Sequence, residues 1–335
     1  MNSLPKISII IVTLNNERTI ETTVEYIMSQ SYPKHLIEYL NVDGGSTDGT
    51  LQVLKKHGFT SIKSPIKRNA EAQRAIGLRE AKNNLIVSID ADNYLLDHDW
   101  IARMVQPFID DPSIVHANTI HYAYKKDTTV FNRYCALFGV LDPIVYYIGR
   151  PDRLPQNRSR WILGKKIKEE KEYFVVEHTN DTLPTVGCNG VVYQRDILLK
   201  YAKSDPSHFL HIDVFSDLIE NGYNRFAVVK NDIFHDTAVD IVSLLKKRIA
   251  FLSSYLLQGK IQRRYLIYNP KKITDTIKLL LFALYTLTVI KPLYDSIQGY
   301  KRVRDVAWFM HPLICWVYLY SYGVATLKRA TMPKN

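Results

Sequence analysis

An α/β fold, a mixed and doubly wound sheet with helices on both faces, is predicted for this chain of 335 residues by three observations. Residues 7–12 (Ile-Ser-Ile-Ile-Ile-Val), 37–42 and 85–89 are strand-like runs, and the β-branching of the first marks a strand covered on both faces. Helical periodicity fills the intervals, so strand and helix alternate as in doubly wound sheets. Polar turns close all three runs, and ligands of such sheets bind where strand carboxyl ends meet helix N-termini.

After the first strand, Ile20, Val24, Ile27 and Met28 recur at helical spacing, Glu17, Arg18, Glu21 and Glu25 lie mostly on other faces, and Pro33 stops the helix. Strand 37–42 leads to a helix at 48–57, a short strand at 61–63, a helix at 70–82 and the strand 85–89. A helix at 98–109 and a strand at 114–121 come next. The segment 131–148 is apolar but broken by Gly139 and Pro143; it reads either as a core helix and turn or as an interfacial patch near a lipid acceptor. Residues 149–171, basic and carrying Pro151, Pro155 and Trp161, predict an extended loop or lid. The turn Gly187-Cys188-Asn189-Gly190 opens a strand at 191–193. A helix at 213–222 is capped by Gly222, and strand 225–230 runs into Ile233-Phe234-His235-Asp236.

The length suits one enzyme-sized domain with an appendage. A hydrophobic fraction of 46%, with 22 Tyr and 12 Phe, is ample for a core and argues against disorder. The net charge of +11 needs an anionic partner. Lys and Arg crowd the second half, in Lys165-Lys166, Lys246-Lys247-Arg248, Arg263-Arg264, Lys271-Lys272, Lys301-Arg302 and Lys328-Arg329. These clusters sit beside apolar stretches rather than on one recognition helix, which favours a membrane surface over nucleic acid. Cys135, Cys188 and Cys315 are odd in number and lack metal-ligand spacing, so a reducing compartment is expected. The N-terminal apolar run is too short for a signal peptide, which leaves the catalytic domain in the cytosol.

Two apolar segments mark the C-terminal region. In the first, 275–297, Lys278 and Lys291-Pro292 bracket only about 12 uncharged positions, short of the ~20 a spanning helix needs. The second, 306–327, is longer, aromatic-rich and contains His311-Pro312. Both predict attachment to the cell membrane, by spanning it or as a half-inserted hairpin, and basic clusters at every segment end favour the monotopic hairpin. The expected organisation is a catalytic domain at 1–240, a basic amphipathic linker at 241–272 and a membrane-associated helical hairpin at 273–335.

Asp90-Ala91-Asp92 ends the strand at 85–89. Paired carboxylates at a strand end are hard oxygen ligands suited to a Mg²⁺ or Mn²⁺ ion carrying phosphates, although such pairs also serve as solvated turns. A second acidic turn at 42–50, Val-Asp-Gly-Gly-Ser-Thr-Asp-Gly-Thr, follows another strand and favours the metal and a bound nucleotide diphosphate.

Residues 5–15, the turn 42–50, Arg68 with Arg74, and Asp90-Ala91-Asp92 resemble, in order and spacing, family 2 glycosyltransferases of the GT-A fold. The match is close over 5–95 and looser over 185–240. The resemblance implies an inverting transfer of a sugar from a nucleotide-diphosphate donor to a hydroxyl or phosphate acceptor; with the basic, apolar C-terminal region, the expected function is transfer to a hydroxyl acceptor, lipid-linked, at the cytosolic membrane face. It implies that Thr13, Asn15 and Glu17 flank the base and ribose, that Asp43 hydrogen-bonds the base edge, and that Arg68 and Arg74 lie near the diphosphate. Ala75 stands where the family commonly has Asn. Asp92 is implied as a ligand of Mn²⁺ or Mg²⁺, with Asp90 on the ribose or a metal-bound water and His235 completing the site; mixed oxygen and imidazole ligands suit Mn²⁺ better. Such an ion acts as a Lewis acid on the departing diphosphate.

Gly187, Asn189 and Gly190 fall on the acceptor side. Counted back from Gly222, the position of the family's Glu-Asp pair is His211, with Asp213 two residues further on, a departure from the family's pattern. Asp213 is the expected base, with His211 orienting it or acting as the base itself, and an ionised lipid phosphate acceptor would need neither. Lys246-Lys247-Arg248 stands where processive synthases carry Gln-x-x-Arg-Trp, which favours single-sugar transfer. Three alternatives stay open: a polyprenyl-phosphate sugar synthase of the same fold, a nucleotidyltransferase, and a basic membrane-binding module without catalysis. The nucleotidyltransferase would carry a glycine-rich basic loop after its first strand, and the turn 13–17 has neither Gly nor Lys.

Overall fold

The most β-branched run of the chain forms the buried centre of one half of a ten-stranded sheet in the computed structural model, which describes residues 4–201, 209–237, 242–243, 245–246 and 263–331. Strands β1 (Ile7–Thr13), β2 (Ile37–Asp43), β3 (Thr60–Lys63) and β4 (Leu85–Asp90) lie parallel in the order β3-β2-β1-β4. All seven residues of β1 are buried, as a strand covered on both faces requires. Helices α1 (Glu17–Met28), α2 (Thr50–Lys56) and α3 (Ala70–Glu80) connect these strands, and α1 turns Ile20, Val24 and Ile27 inward.

The other half of the sheet is mixed. It contains β5 (Asn93–Tyr94), β6 (His116–Tyr122), β7 (Lys165–Glu169), β8 (Tyr173–Glu177), β9 (Val191–Gln194) and β10 (Arg225–His235), with α4 (Trp100–Asp110) between β5 and β6. β9 runs antiparallel to both β4 and β6 and joins the halves; β10 is parallel to β6 and antiparallel to β8. The carboxyl ends of β1, β2, β4 and β10 therefore point to one edge. The expected loop at 149–171 is corrected by β7, whose Lys-Lys-Ile-Lys-Glu sequence is exposed at every position and shows no apolar alternation, as suits a charged edge strand. β10 continues past residue 230 through a register shift between Val229 and Asp232, which carries it to His235.

The chain divides into two compact units, Met1–Ala123 with Ile162–Asp236 and Tyr124–Trp161 with Thr237–Asn335. This corrects the expected division. Helices α5 (Val130–Phe138) and α6 (Pro143–Ile148), placed in the catalytic domain by the sequence reading, pack in the second unit, where Phe138 stacks on His311 at 3.9 Å and meets Trp308 edge-on at 4.7 Å. An aromatic helix goes where its apolar partners are. Helices α7 (Arg195–Tyr201) and α8 (His211–Glu220) return to the first unit. Much of the expected linker 241–272, with Lys247 and Arg248, lies outside the described residues.

Three helices, rather than the expected hairpin of two segments, complete the second unit: α9 (Ile273–Thr288), α10 (Ile290–Arg302) and α11 (His311–Thr331). α9 and α10 meet at an angle of 82°. Val289 turns the chain there in a left-handed conformation, φ 61°, and Pro292, which lacks an N–H, is tolerated only in the first turn of a new helix. Among the described residues no single helix is long and apolar enough to cross a membrane; α9 and α10 meet that test only as a bent pair. Gly299 lets α10 approach Trp308, since a Cβ there would lie 2.4 Å from the indole ring.

Candidate active site

Sheet register gathers the acidic turns. Thr13 pairs with Asp43 and Val12 with Asp90, so the ends of β2, β1 and β4 stand side by side. The short antiparallel pairing of β5 with β10 sets Asn93 opposite His235 and draws Asp92 to the end of β10. The three predicted polar turns and His235 are thus brought to one edge by main-chain pairing alone.

Asp43 is 4% exposed and organises the turn that follows it. Its Oδ2 accepts from the backbone N–H groups of Gly45 and Ser46 at 2.8 and 2.9 Å, and its Oδ1 accepts from the hydroxyls of Ser46 and Thr13 at 2.5 and 3.1 Å. Both oxygens are engaged, so the side chain shapes the wall of the site. Asn15, φ 54°, donates its N–H to Ser46 Oγ and accepts from the Thr47 N–H on its side-chain oxygen, linking the first two turns. Asn tolerates that left-handed conformation better than most residues. Glu17 is exposed and its N–H donates to Asp48 at 3.1 Å. A cavity of about 340 Å³ opens beside this turn, lined by Asp43, Ser46, Thr47, Ser61, Lys63 and Lys67 among others. Lys63 and Lys67 are functional candidates that sequence reasoning missed; Lys67 adjoins Arg68, which is exposed and also left-handed, φ 55°.

Asp92 and His235 meet, with Asp92 Oδ1 3.4 Å from His235 Nε2, both side chains partly exposed. The Asn189 amide nitrogen lies 3.3 Å from His235 Nδ1 and donates to the Tyr122 hydroxyl at 2.9 Å. One carboxylate and one imidazole form a donor set that fits Mn²⁺, with the remaining positions left to phosphate oxygens and water. As placed, the Asn189 amide donates to Nδ1 and leaves the ring proton on Nε2, toward Asp92; a metal on Nε2 would need the amide turned so that its oxygen accepts from an Nδ1–H.

Asp90 does not join them. Its Oδ1 accepts from Arg74 Nη2 at 2.6 Å, and Arg74 Nη1 donates to Glu71 at 2.8 Å. Among the described residues no three His, Cys, Asp or Glu side chains gather closely enough to hold a metal. Two expectations are corrected here, Asp90 as a site ligand and Arg74 as a cation for the diphosphate. A guanidinium 11% exposed between two carboxylates is neutralised where it lies.

Glu71 extends this pairing to the acceptor side. Its Oε2 accepts from the backbone N–H of His211 at 3.0 Å and faces the ring Nδ1 at 2.8 Å, while Nε2 faces the Val186 carbonyl at 3.1 Å. Both ring nitrogens meet acceptors, so both carry protons and His211 is an imidazolium. Burial acts to lower its pKa, but the neighbouring Cys188 and Glu71 hold it well above the ordinary 6.5. Burial acts to raise Glu71, yet His211 and Arg74 bring it down to about 2. A cation held in this way is no base, which corrects the reading of His211 as one, and its ring addresses Glu71 rather than Asp213. Asp213, in the first turn of α8, is 1% exposed.

Gly187, Asn189 and Gly190 precede β9. Gly190, φ 67°, is fixed by conformation and packing, because a Cβ would lie 2.0 Å from Ile233 Cδ1; of the three, Asn189 alone has a side chain that reaches the site.

The family description "Glycosyl transferase family 2" matches residues 8–164. Glycosyltransferase AglE of Haloferax volcanii is 25% identical over 138 residues, 40% of this chain and 45% of that one. The dolichyl N-acetyl-alpha-D-glucosaminyl phosphate 3-beta-D-2,3-diacetamido-2,3-dideoxy-beta-D-glucuronosyltransferase of Methanococcus voltae is 37% identical over 108 residues, 30% of this chain and 33% of that one. The matched stretch thus spans less than half of either relative. Mannosyltransferase PcManGT from Pyrobaculum calidifontis, solved with GDP-Man and Mn²⁺, superposes with a TM-score of 0.54 at 15% identity, covering 98% of this chain and 87% of that one, a likeness of fold. With its acidic turns aligned on one sheet edge, the chain has the GT-A fold, and its residues 8–164 match glycosyltransferase family 2.

Proposed function

We propose that this protein transfers one sugar, with inversion, from a nucleotide-diphosphate sugar to a lipid-linked hydroxyl acceptor at the cytosolic face of the cell membrane. The observation that carries the reading is the meeting of Asp92 with His235 at the strand edge that also holds the Asp43 cavity. The nucleoside occupies that cavity against Asp43, Ser46 and Thr47, with Asn15 and Glu17 along its rim, and Lys63, Lys67 and Arg68 offset the diphosphate charge. Asp92 and His235 would hold Mn²⁺ or Mg²⁺, which would supply Lewis-acid stabilisation of the charge on the leaving diphosphate. Asp213 accepts the proton of the acceptor hydroxyl as it attacks opposite the leaving group. A relative named for a dolichyl-phosphate-linked glucosaminyl acceptor, and a fold neighbour solved with GDP-Man and Mn²⁺, support the classes of acceptor, donor and metal.

The burial of Asp213 favours a second reading, a polyprenyl-phosphate sugar synthase, whose ionised acceptor needs no base. Calorimetry with UDP and GDP, with and without Mn²⁺, tests the donor site: wild type should bind more tightly with the ion, and Asp92→Asn should lose that increment. Equal Mn²⁺-dependent binding by both would overturn the site. Labelled donors with extracted lipids separate the two readings, since an acid-labile monophosphate product belongs to the synthase.

A further inference from the structure

Helices α9 and α10 are packed inside out. α9 buries Asp275, Phe282 and Thr286 and turns Leu280, Leu284 and Leu287 outward, 65%, 54% and 58% exposed. α10 buries Asp295 and Ser296 and exposes Leu293 and Ile297. Three of these polar groups are held within the unit: Asp275 accepts from the Asn269 N–H, Asp295 pairs with Lys291 and accepts from Tyr147, and Ser296 donates to the Trp308 carbonyl at 2.7 Å. In water the opposite arrangement is stable, apolar stripe inward and polar face outward. Polar groups turned inward and leucines outward suit hydrocarbon as the surroundings.

We propose that the outer faces of α9 and α10 lie in one leaflet of an anionic bilayer, in the plane of the interface and not across it. This rests on the membrane reading above and is independent of glycosyl transfer. Length sets the depth: α9 spans about 24 Å and α10 about 20 Å, each short of the ~30 Å hydrocarbon core, and their 82° bend prevents a straight passage. α11 is longer, but His311, Cys315, Tyr318 and Ser321 give it a face buried in its own unit. Charge selects the occupant. Lys278, Lys301, Arg302 and Arg304 are exposed on or beside these helices, a fringe that repels a second copy and attracts anionic headgroups.

The full chain, without nucleotide, is floated with vesicles of phosphatidylcholine alone and of phosphatidylcholine mixed with phosphatidylglycerol. Binding should need the anionic lipid, and Leu280→Gln/Leu284→Gln/Leu287→Gln should lower it by roughly tenfold or more with its unfolding midpoint unchanged. Leu284→Trp, which sets an indole on the outer face of α9, should add fluorescence that is quenched more by shallow than by deep lipid-borne quenchers, read against the wild type as background. Deeper quenching would overturn the in-plane placement. Retained flotation of the triple variant, or its change from oligomer to monomer without loss of flotation, would overturn the lipid face, the latter in favour of a second copy. Donor binding in calorimetry is read separately, so either reading can fail alone.

Discussion

The helices of the two units solve opposite problems. In the first unit, α4 buries Trp100, Ile101, Met104, Val105 and Phe108, while in the second α9 buries Asp275 and Thr286 and displays its leucines. Both stretches are apolar in composition, so composition does not distinguish them; burial does. Apolar residues turned inward let the first unit hold its charges at the sheet edge, where Asp92 meets His235. In the second unit Asp275, Asp295 and Ser296 are held by internal hydrogen bonds.

Four measurements break or sharpen this contrast. Trp100→Ala should lose about 3–5 kcal/mol in denaturant unfolding, since a fully buried indole leaves a large cavity. Asp92→Asn should lower kcat/KM by about two to three orders of magnitude, or about 3–4 kcal/mol of transition-state stabilisation. An unchanged rate would remove Asp92 from the chemistry.

Glu71→Gln should destabilise by about 2–3 kcal/mol near pH 6, where a charged hydrogen bond is lost. The sign of its pH dependence follows from the shifts. Glu71, lowered from 4.5 to about 2, contributes above pH 4.5 and loses its contribution as the pH falls toward 2. His211, raised above 6.5, contributes fully below pH 6.5 and loses its contribution as the pH climbs through the raised value. The wild-type unfolding midpoint should therefore gain most from the pair between pH 4.5 and 6.5, and the difference from Glu71→Gln should shrink on either side. A constant offset would mean that the pair does not titrate as the geometry requires. Smallest of all, Leu280→Ala should stay within about 0.5 kcal/mol in vesicle-free solution; a loss like that of Trp100 would show α9 to be buried against protein.

The parallel half of the sheet was legible because β-branching and helical period both point to it, and the turns at 13–17, 42–50 and 90–92 were legible because strand ends follow from strands. β7 was not, since charges at every position hide an edge strand. The break at Val289 escaped notice because Leu279, Leu280 and Leu281 before it and Leu287 and Ile290 around it read as one apolar run. In the site, long-range partners were the difficulty. His211 and Glu71 are 140 residues apart, and no local pattern announces them, although Glu71 and Arg74 at i,i+3 on a helix were a signal that could have been taken. Arg74 and Asp90 were each picked out as ligand contacts, and the fold joins them to one another.

Alternating signs run in single file from His211 through Glu71 and Arg74 to Asp90. Such a row has no member that can be exchanged alone, since each replacement strands the neighbour's charge in a poorly solvated place. Related chains that lack Glu71 should therefore be found to have altered His211 or Arg74 as well, the substitutions arriving together.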